Sequence, residues 1–226
     1  MIILITDVTE MHQGNYCVAG WDAAAGRMIR PLPNGTNWTE PLLSAYGVQP
    51  GATIGVIPTG GQPAGSYPHR TEDTPINPGA IAHLNPGPLP WFGAGAPPLA
   101  PSLAASFQQS VQTTGTWNGA LKGAYVQEGT QIGSLAAVRI GHADLEFFED
   151  TYNGKRSLRA CMTDANATYN LPVVAKHLRE LDRAGGVAAL NQALPKAGNL
   201  HLRVGLARAW IGQPGKCTVM INGVYW

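Results

Sequence analysis

A mainly β chain with short helices, divided into two small barrels in tandem, is the fold class that this sequence predicts, and three observations carry it. Short apolar stretches bounded by turn residues recur at strand length near both ends of the chain. Asn153-Gly154 stands between two such stretches, the pair that supplies the positive φ angles of a tight hairpin. A single strong helical pattern, Leu171 to Arg183, interrupts the strands of the second half. The 226 residues are 44% hydrophobic and include six tryptophans, core material enough for one large β-domain or two small ones.

In chain order, residues 1–8 predict a strand, His12 to Asn15 a turn, Tyr16 to Trp21 a second strand, Ala23 to Gly26 a turn, and Arg27 to Leu32 a third strand. Thr39 to Tyr46 reads as a short helix with Thr39 as N-cap and Gly47 as its stop. Gly51 to Ile57 is a fourth strand closed by Pro58. No charged side chain occurs from residue 74 to 121, and seven of the eighteen prolines lie between Pro78 and Pro101. Disordered segments are charged and poor in aromatics, whereas this one holds Trp91, Phe92, Phe107 and Trp117, so an irregular but packed connection is expected. Ser102 to Val111 reads as a short helix within it, with Pro101 at its beginning.

The last hundred residues give the clearest pattern. Strands are predicted at Ser134 to Ile140, Asp144 to Thr151 and Arg156 to Met162, the last two joined by the Asn-Gly hairpin. The helix at Leu171 to Arg183 has Pro172 in its first turn, Val174, Leu178 and Leu181 on one face, and Gly185-Gly186 as its stop. A shorter helix follows at Val187 to Leu194, then strands at Leu200 to Trp210 and Cys217 to Trp226, joined by Gly212-Gln213-Pro214-Gly215. Three strands, a helix and two strands is the order of an OB fold, a five-stranded Greek-key barrel. The N-terminal third repeats that order with its fifth strand unresolved. The predicted organisation is therefore an OB-like barrel at 1–78, a proline-rich packed connection at 79–130, and a second OB-like barrel at 131–226.

Three stretches carry a family likeness: Tyr16 to Pro33 (YCVAGWDAAAGRMIRPLP), Leu200 to Trp210 (LHLRVGLARAW) and Lys216 to Trp226 (KCTVMINGVYW). With them the chain resembles, over effectively its whole length, the bacterial proteins described as dual OB-fold-domain proteins. That resemblance implies two OB-like barrels and a nucleic-acid-binding or sensing role in bacterial conflict systems. It implies no catalytic residue that carries over to this sequence.

Composition narrows the classes further. No apolar run is long enough to span a bilayer, and residues 1–10 lack the basic start and cleavage site of a signal peptide, so a cytoplasmic protein without a membrane segment is expected. Cys17, Cys161 and Cys217 are odd in number and far apart, which fits neither a disulfide framework nor a zinc site. The six histidines are scattered singly, so neither a metal nor a cofactor is expected. Nucleophile elbow, P-loop and dinucleotide fingerprints are absent, and Gly93 to Ala96 lies in proline-rich sequence rather than between a strand and a helix; the chain reads as non-catalytic. Residues 1–121 carry three basic side chains against six acids, and residues 122–226 twelve against eight, so an anionic partner should favour the second half.

Five residues are the candidate contacts to nucleic acid. Lys155 and Arg159 share one face of the third strand of the second barrel, with Tyr152 beside them as a stacking platform, and strands two and three form the usual ligand face of OB folds. Glu146, Glu149 and Asp150 on the adjoining strand are the competing partners of these cations. Arg30 has a planar fork suited to a phosphate, although pairing with Asp7 or Asp22 at the barrel rim is the favoured role. Arg203 and Arg208 fall on opposite faces of one strand, so one of them points inward and needs a partner such as Asp164. Thr163-Asp164 reads as the cap of a turn. The function classes left open are a module for single-stranded nucleic acid and a protein-interaction module built on the uncharged 74–121 segment.

Overall fold

The computed structural model describes residues 1–60, 67–84, 96–117, 120–121, 123–152 and 154–226, with Trp117, Ala120, Leu121 and Tyr152 described by their backbone alone. The expected packing of Trp91, Phe92 and the Trp117 ring lies outside the described residues, as does Asn153. The chain is mainly β and divides into two compact units, Met1–Pro97 and Pro98–Trp226.

In the first unit, β1 (Ile2–Glu10), β2 (Asn15–Asp22) and β3 (Arg27–Pro33) form an antiparallel meander. Gln13, Gly14 and Gly26 take positive φ in its two turns. A two-residue strand, β4 (Trp38–Thr39), pairs with β2 and leads into α1 (Glu40–Ala45), which ends ahead of Gly47 at φ 58°. The strand β5 (Thr53–Gly55) returns antiparallel to β1. The fifth strand left open by the sequence is β6 (Asp73–Ile76), which runs parallel to β3 with Arg30 opposite Asp73. A bridge between Pro58 and Ile76 closes the barrel, flanked by Thr59 N–H donating to the Pro75 carbonyl and Asn77 N–H to the Ile57 carbonyl, both at 3.0 Å. A further strand, β7 (Ala82–Leu84), lies beside β5. Ile3, Ile5, Val18, Ile29, Trp38, Ile54 and Ile76 fill the interior.

The second unit starts well before the predicted barrel. Residues 98–130, expected to be connection, contribute α2 (Leu103–Ser106), capped by Ser102 Oγ, and the strands β8 (Val111–Thr113), β9 (Thr116–Trp117), β10 (Ala120–Leu121) and β11 (Ala124–Gln127). Then come β12 (Leu135–Gly141), a 3₁₀ turn at His142–Asp144, β13 (Leu145–Tyr152), β14 (Lys155–Thr163), β15 (Thr168–Pro172), α3 (Lys176–Ala193), β16 (Asn199–Leu206) and β17 (Lys216–Tyr225). They form two five-stranded sheets, β13-β14-β15-β10-β9 and β12-β16-β17-β11-β8. The sheets meet at a parallel bridge between Val173 and Ile221.

Two expectations change here. Leu171 and Pro172 belong to β15, not to the helix: residues 168–172 pair with β14, and a proline is tolerated at the end of a strand as it is in a first helical turn. At Gly186 the backbone leaves the helical region, with φ 70° and ψ −178°, so α3 is two helical segments meeting at a kink, in keeping with the Gly185-Gly186 stop and the shorter helix expected at residues 187–194. The strand expected to reach Trp210 stops at Leu206.

Two side-chain links hold α3 to the sheet. Arg156 forms a two-pronged bridge to the buried Asp182 at 2.6 and 2.7 Å and donates to Glu149 at 2.6 Å. Asn191 pairs with both backbone groups of Phe147, accepting from its N–H at 2.8 Å and donating to its carbonyl at 2.9 Å. Among the described residues no helix is long and apolar enough to cross a membrane.

Candidate nucleic-acid interface

Period-two alternation places the side chains of β14 as predicted: Leu158, Ala160 and Met162 are buried on one face, and Lys155 and Arg159 project from the other. Their environments differ. Lys155 is exposed and its ammonium pairs with no described residue. Arg159 is half-buried; its Nε donates to Asn170 Oδ1, its Nη2 donates to the Asn170 carbonyl at 3.0 Å, and the Asp150 carboxylate stands 3.8 Å away. Burial draws the Arg159 guanidinium below its usual pKa, opposed by Asp150. Tyr152 pairs through its backbone with Lys155.

The other two arginines are not surface groups. Arg30 is 4% exposed, donating from Nη1 to Asp73 at 2.8 Å and from Nε to Cys17 Sγ at 3.1 Å. Burial alone would lower its pKa, but the facing Cys17 and Asp73 outweigh it and raise the guanidinium above its ordinary value. The partner is Asp73 because β6 runs in register beside β3. Asp7 instead accepts from the Thr6 hydroxyl at 2.6 Å, and Asp22 accepts from the Ala24 and Ala25 amides. Arg203 has no exposed surface, which removes it from any polymer interface. Asp164, its anticipated partner, is occupied by the amides of Leu103, Asn166 and Ala167 and stabilises the turn before β15.

Sequence reasoning passed over the loop between β16 and β17. These are the fourth and fifth strands of the OB order, and the loop between them is one of the two that bind oligonucleotides in OB folds. Backbone bonds shape it: Ala207 N–H donates to the Thr218 carbonyl, Gln213 N–H to the Trp210 carbonyl and Glu128 N–H to the Gly215 carbonyl, each at 2.8 Å. Its tip carries Trp210, 57% exposed, and Ile211, 97% exposed, with Arg208 also at the surface. At its base the Lys216 ammonium lies 4.8 Å from the centre of the Tyr125 ring, whose hydroxyl donates to Gln112 at 2.7 Å.

Gly212 fixes the pose of the indole. A Cβ on Gly212 would come within 2.1 Å of the Trp210 ring, so the six-membered ring of the indole packs in the space that a side chain there would fill, while 57% of the residue stays exposed. The Gly212 backbone itself tolerates a side chain, since its φ is not positive. Gly212→Val should therefore displace the indole without unfolding the protein. The expected result is a red shift of tryptophan emission with an unchanged far-ultraviolet circular dichroism spectrum; an unshifted emission band would show that the glycine does not set the ring.

A family model described as a dual OB-containing domain matches residues 1–224. No curated protein and no solved structure matches the chain.

Proposed function

The chain belongs to the dual OB-containing domain family, and from that premise we propose that it is a non-catalytic binding module for single-stranded nucleic acid, with the β16–β17 loop as its principal contact. The observation that carries this reading is the exposed Trp210 indole, packed closely against Gly212 in a loop that also carries Arg208 and has Lys216 at its base. An exposed aromatic face stacks on any base, and neighbouring cations follow the backbone. Lys155 remains a candidate contact on the β13–β14 face, whereas Arg159 is engaged by Asn170. In this reading the protein senses nucleic acid in the cytoplasm, within a bacterial conflict system. The alternative, a protein-interaction surface on the 74–121 segment, finds less support: among the described residues of that segment no large apolar side chain is exposed, and Leu103 and Phe107 are buried.

Fluorescence anisotropy with labelled single-stranded DNA and RNA at low salt tests the reading. Stacking on an aromatic ring contributes about 1–3 kcal/mol per base, so Trp210→Ala should weaken binding roughly 5- to 150-fold. Binding should fall as salt rises, with a shallow slope because each neutralised phosphate contributes only about 0.7 on a log–log plot. If neither polymer binds, the reading is wrong. If Trp210→Ala binds like wild type while Lys155→Ala/Arg159→Ala does not, the contact lies on the β13–β14 face instead.

A further inference from the structure

The end of β16 remote from the Trp210 loop borders a second feature. A cleft of about 520 Å³ opens there, between the 3₁₀ turn, the first residues of β13 and the segment that follows α3. Its size falls within the roughly 300–1,000 Å³ of small-ligand sites. Leu145, Leu194 and Pro195 supply its apolar lining, and His142, Glu146, Gln192 and Lys196 its polar lining. Glu146, Gln192 and Lys196 are exposed, and the side chains of those four polar residues make no hydrogen bond or ion pair with another described residue.

The walls around them are fixed. His142 N–H donates to the Gly198 carbonyl at 3.0 Å, tying the 3₁₀ turn to the segment before β16. The neighbouring Asn191 is held to the Phe147 backbone and anchors the end of α3. The cleft is lined by a cation, an imidazole, a carboxylate, two carboxamides and an apolar surface.

A ligand that answers all of these must carry a negative group for Lys196 and His142, a hydrogen-bond donor for the Glu146 carboxylate, and a flat apolar body for Leu194 and Pro195. Inorganic phosphate lacks the apolar body. A nucleotide has all three: its ribose hydroxyls donate, and an exocyclic amine donates at the base edge where uracil instead presents a carbonyl oxygen, which a carboxylate repels. We infer that this cleft is a subsite for one nucleotide whose base carries an exocyclic amine, with the phosphate on Lys196 and His142 and the amine on Glu146.

The subsite rests on the reading of the protein as a nucleic-acid-binding module and adds a base preference to it. Lys196 precedes β16 and Arg208 follows it. The eight residues of that strand span about 26 Å at roughly 3.3 Å each. One single strand reaching from the cleft to Trp210 is in keeping with the roughly 4–16 nucleotides that an OB fold accommodates.

Cytidine 5′-monophosphate and uridine 5′-monophosphate make the sharpest pair of probes, since they differ at the exocyclic position in presenting an amine or a carbonyl. Titrations followed by backbone amide shifts should perturb His142, Glu146 and Lys196, with the cytidine nucleotide bound about tenfold or more tightly than the uridine nucleotide. Glu146→Ala should abolish that difference. Lys196→Ala should weaken both, and inorganic phosphate alone should bind more weakly than either. Equal affinity for the two nucleotides in the wild type, or no shift at the cleft with either, overturns the inference. The amide shifts of His142, Glu146 and Lys196 report the cleft alone, whereas the anisotropy of Trp210→Ala reports the loop, which separates this test from the preceding one. If oligonucleotides bind through Trp210 while neither mononucleotide moves the cleft, the subsite falls and the binding module stands. If mononucleotides bind the cleft and no oligonucleotide binds, the subsite stands and the polymer-binding reading falls.

Discussion

Arg30→Met is expected to destabilise the first unit by about 3–5 kcal/mol, the penalty for removing one member of a buried ion pair. The substitution leaves the Asp73 carboxylate, 3% exposed, without the guanidinium that stands 2.8 Å from it. Much of that penalty is the desolvation of an orphaned charge rather than the strength of the pair. The double variant Arg30→Met/Asp73→Leu should therefore recover much of the loss, because it removes the Asp73 charge together with the guanidinium that faces it. Arg30→Lys should recover little, since an ammonium lacks the fork that reaches Cys17 and Asp73 together. Urea denaturation followed by tryptophan emission reads all three. A loss below about 1 kcal/mol for Arg30→Met would place the pair among those that contribute as little as surface bridges do.

Trp38→Ala should have an effect of similar size, about 3–5 kcal/mol for deleting a buried aromatic side chain. Trp38 has no exposed surface, and its indole N–H donates to the Pro31 carbonyl at 2.7 Å, joining β4 to β3 through the core. Trp38→Phe separates the two contributions. It keeps most of the apolar contact but leaves a buried carbonyl without its donor, which costs about 1–3 kcal/mol. The order of midpoints expected in thermal and urea melts is wild type, then Trp38→Phe, then Trp38→Ala. A phenylalanine variant as stable as wild type would show that the Pro31 carbonyl finds another donor.

Local patterns were legible in the sequence where turn chemistry announced them. The meander from β1 to β3 follows from its glycine-containing turns, and the shared face of Lys155 and Arg159 follows from the alternation of a strand. Elements specified by distant partners were not legible. The strand β6 is four residues long and contains Pro75, and it is a strand only because β3, forty residues earlier, lies in register beside it. The strand β15 was hidden because its Leu171-Pro172 also suits the start of a helix. That misassignment affected the site as well: Asn170, which engages Arg159, sits on β15, so the engagement of that cation could not be seen before the strand was placed. Trp210 was overlooked because the apolar pattern of β16 runs on past Leu206, where pairing with β12 and β17 ends. The signal was present as a tryptophan followed by Gly-Gln-Pro-Gly between two strands.

Asn191 has a bearing on how the protein behaves in crowded solution. The strand β13 ends its sheet, and the outer border of a sheet offers unfilled amide and carbonyl groups to any extended chain that drifts past. At Phe147 both groups are already taken by one carboxamide, which imitates the next strand with a side chain too short to continue the ladder. An incoming strand must first displace a contact that is tethered in place, while it pays the full entropy of docking. At Phe147 the border is thereby closed to a ladder hydrogen bond from a neighbouring molecule, without a proline or a charge at that position.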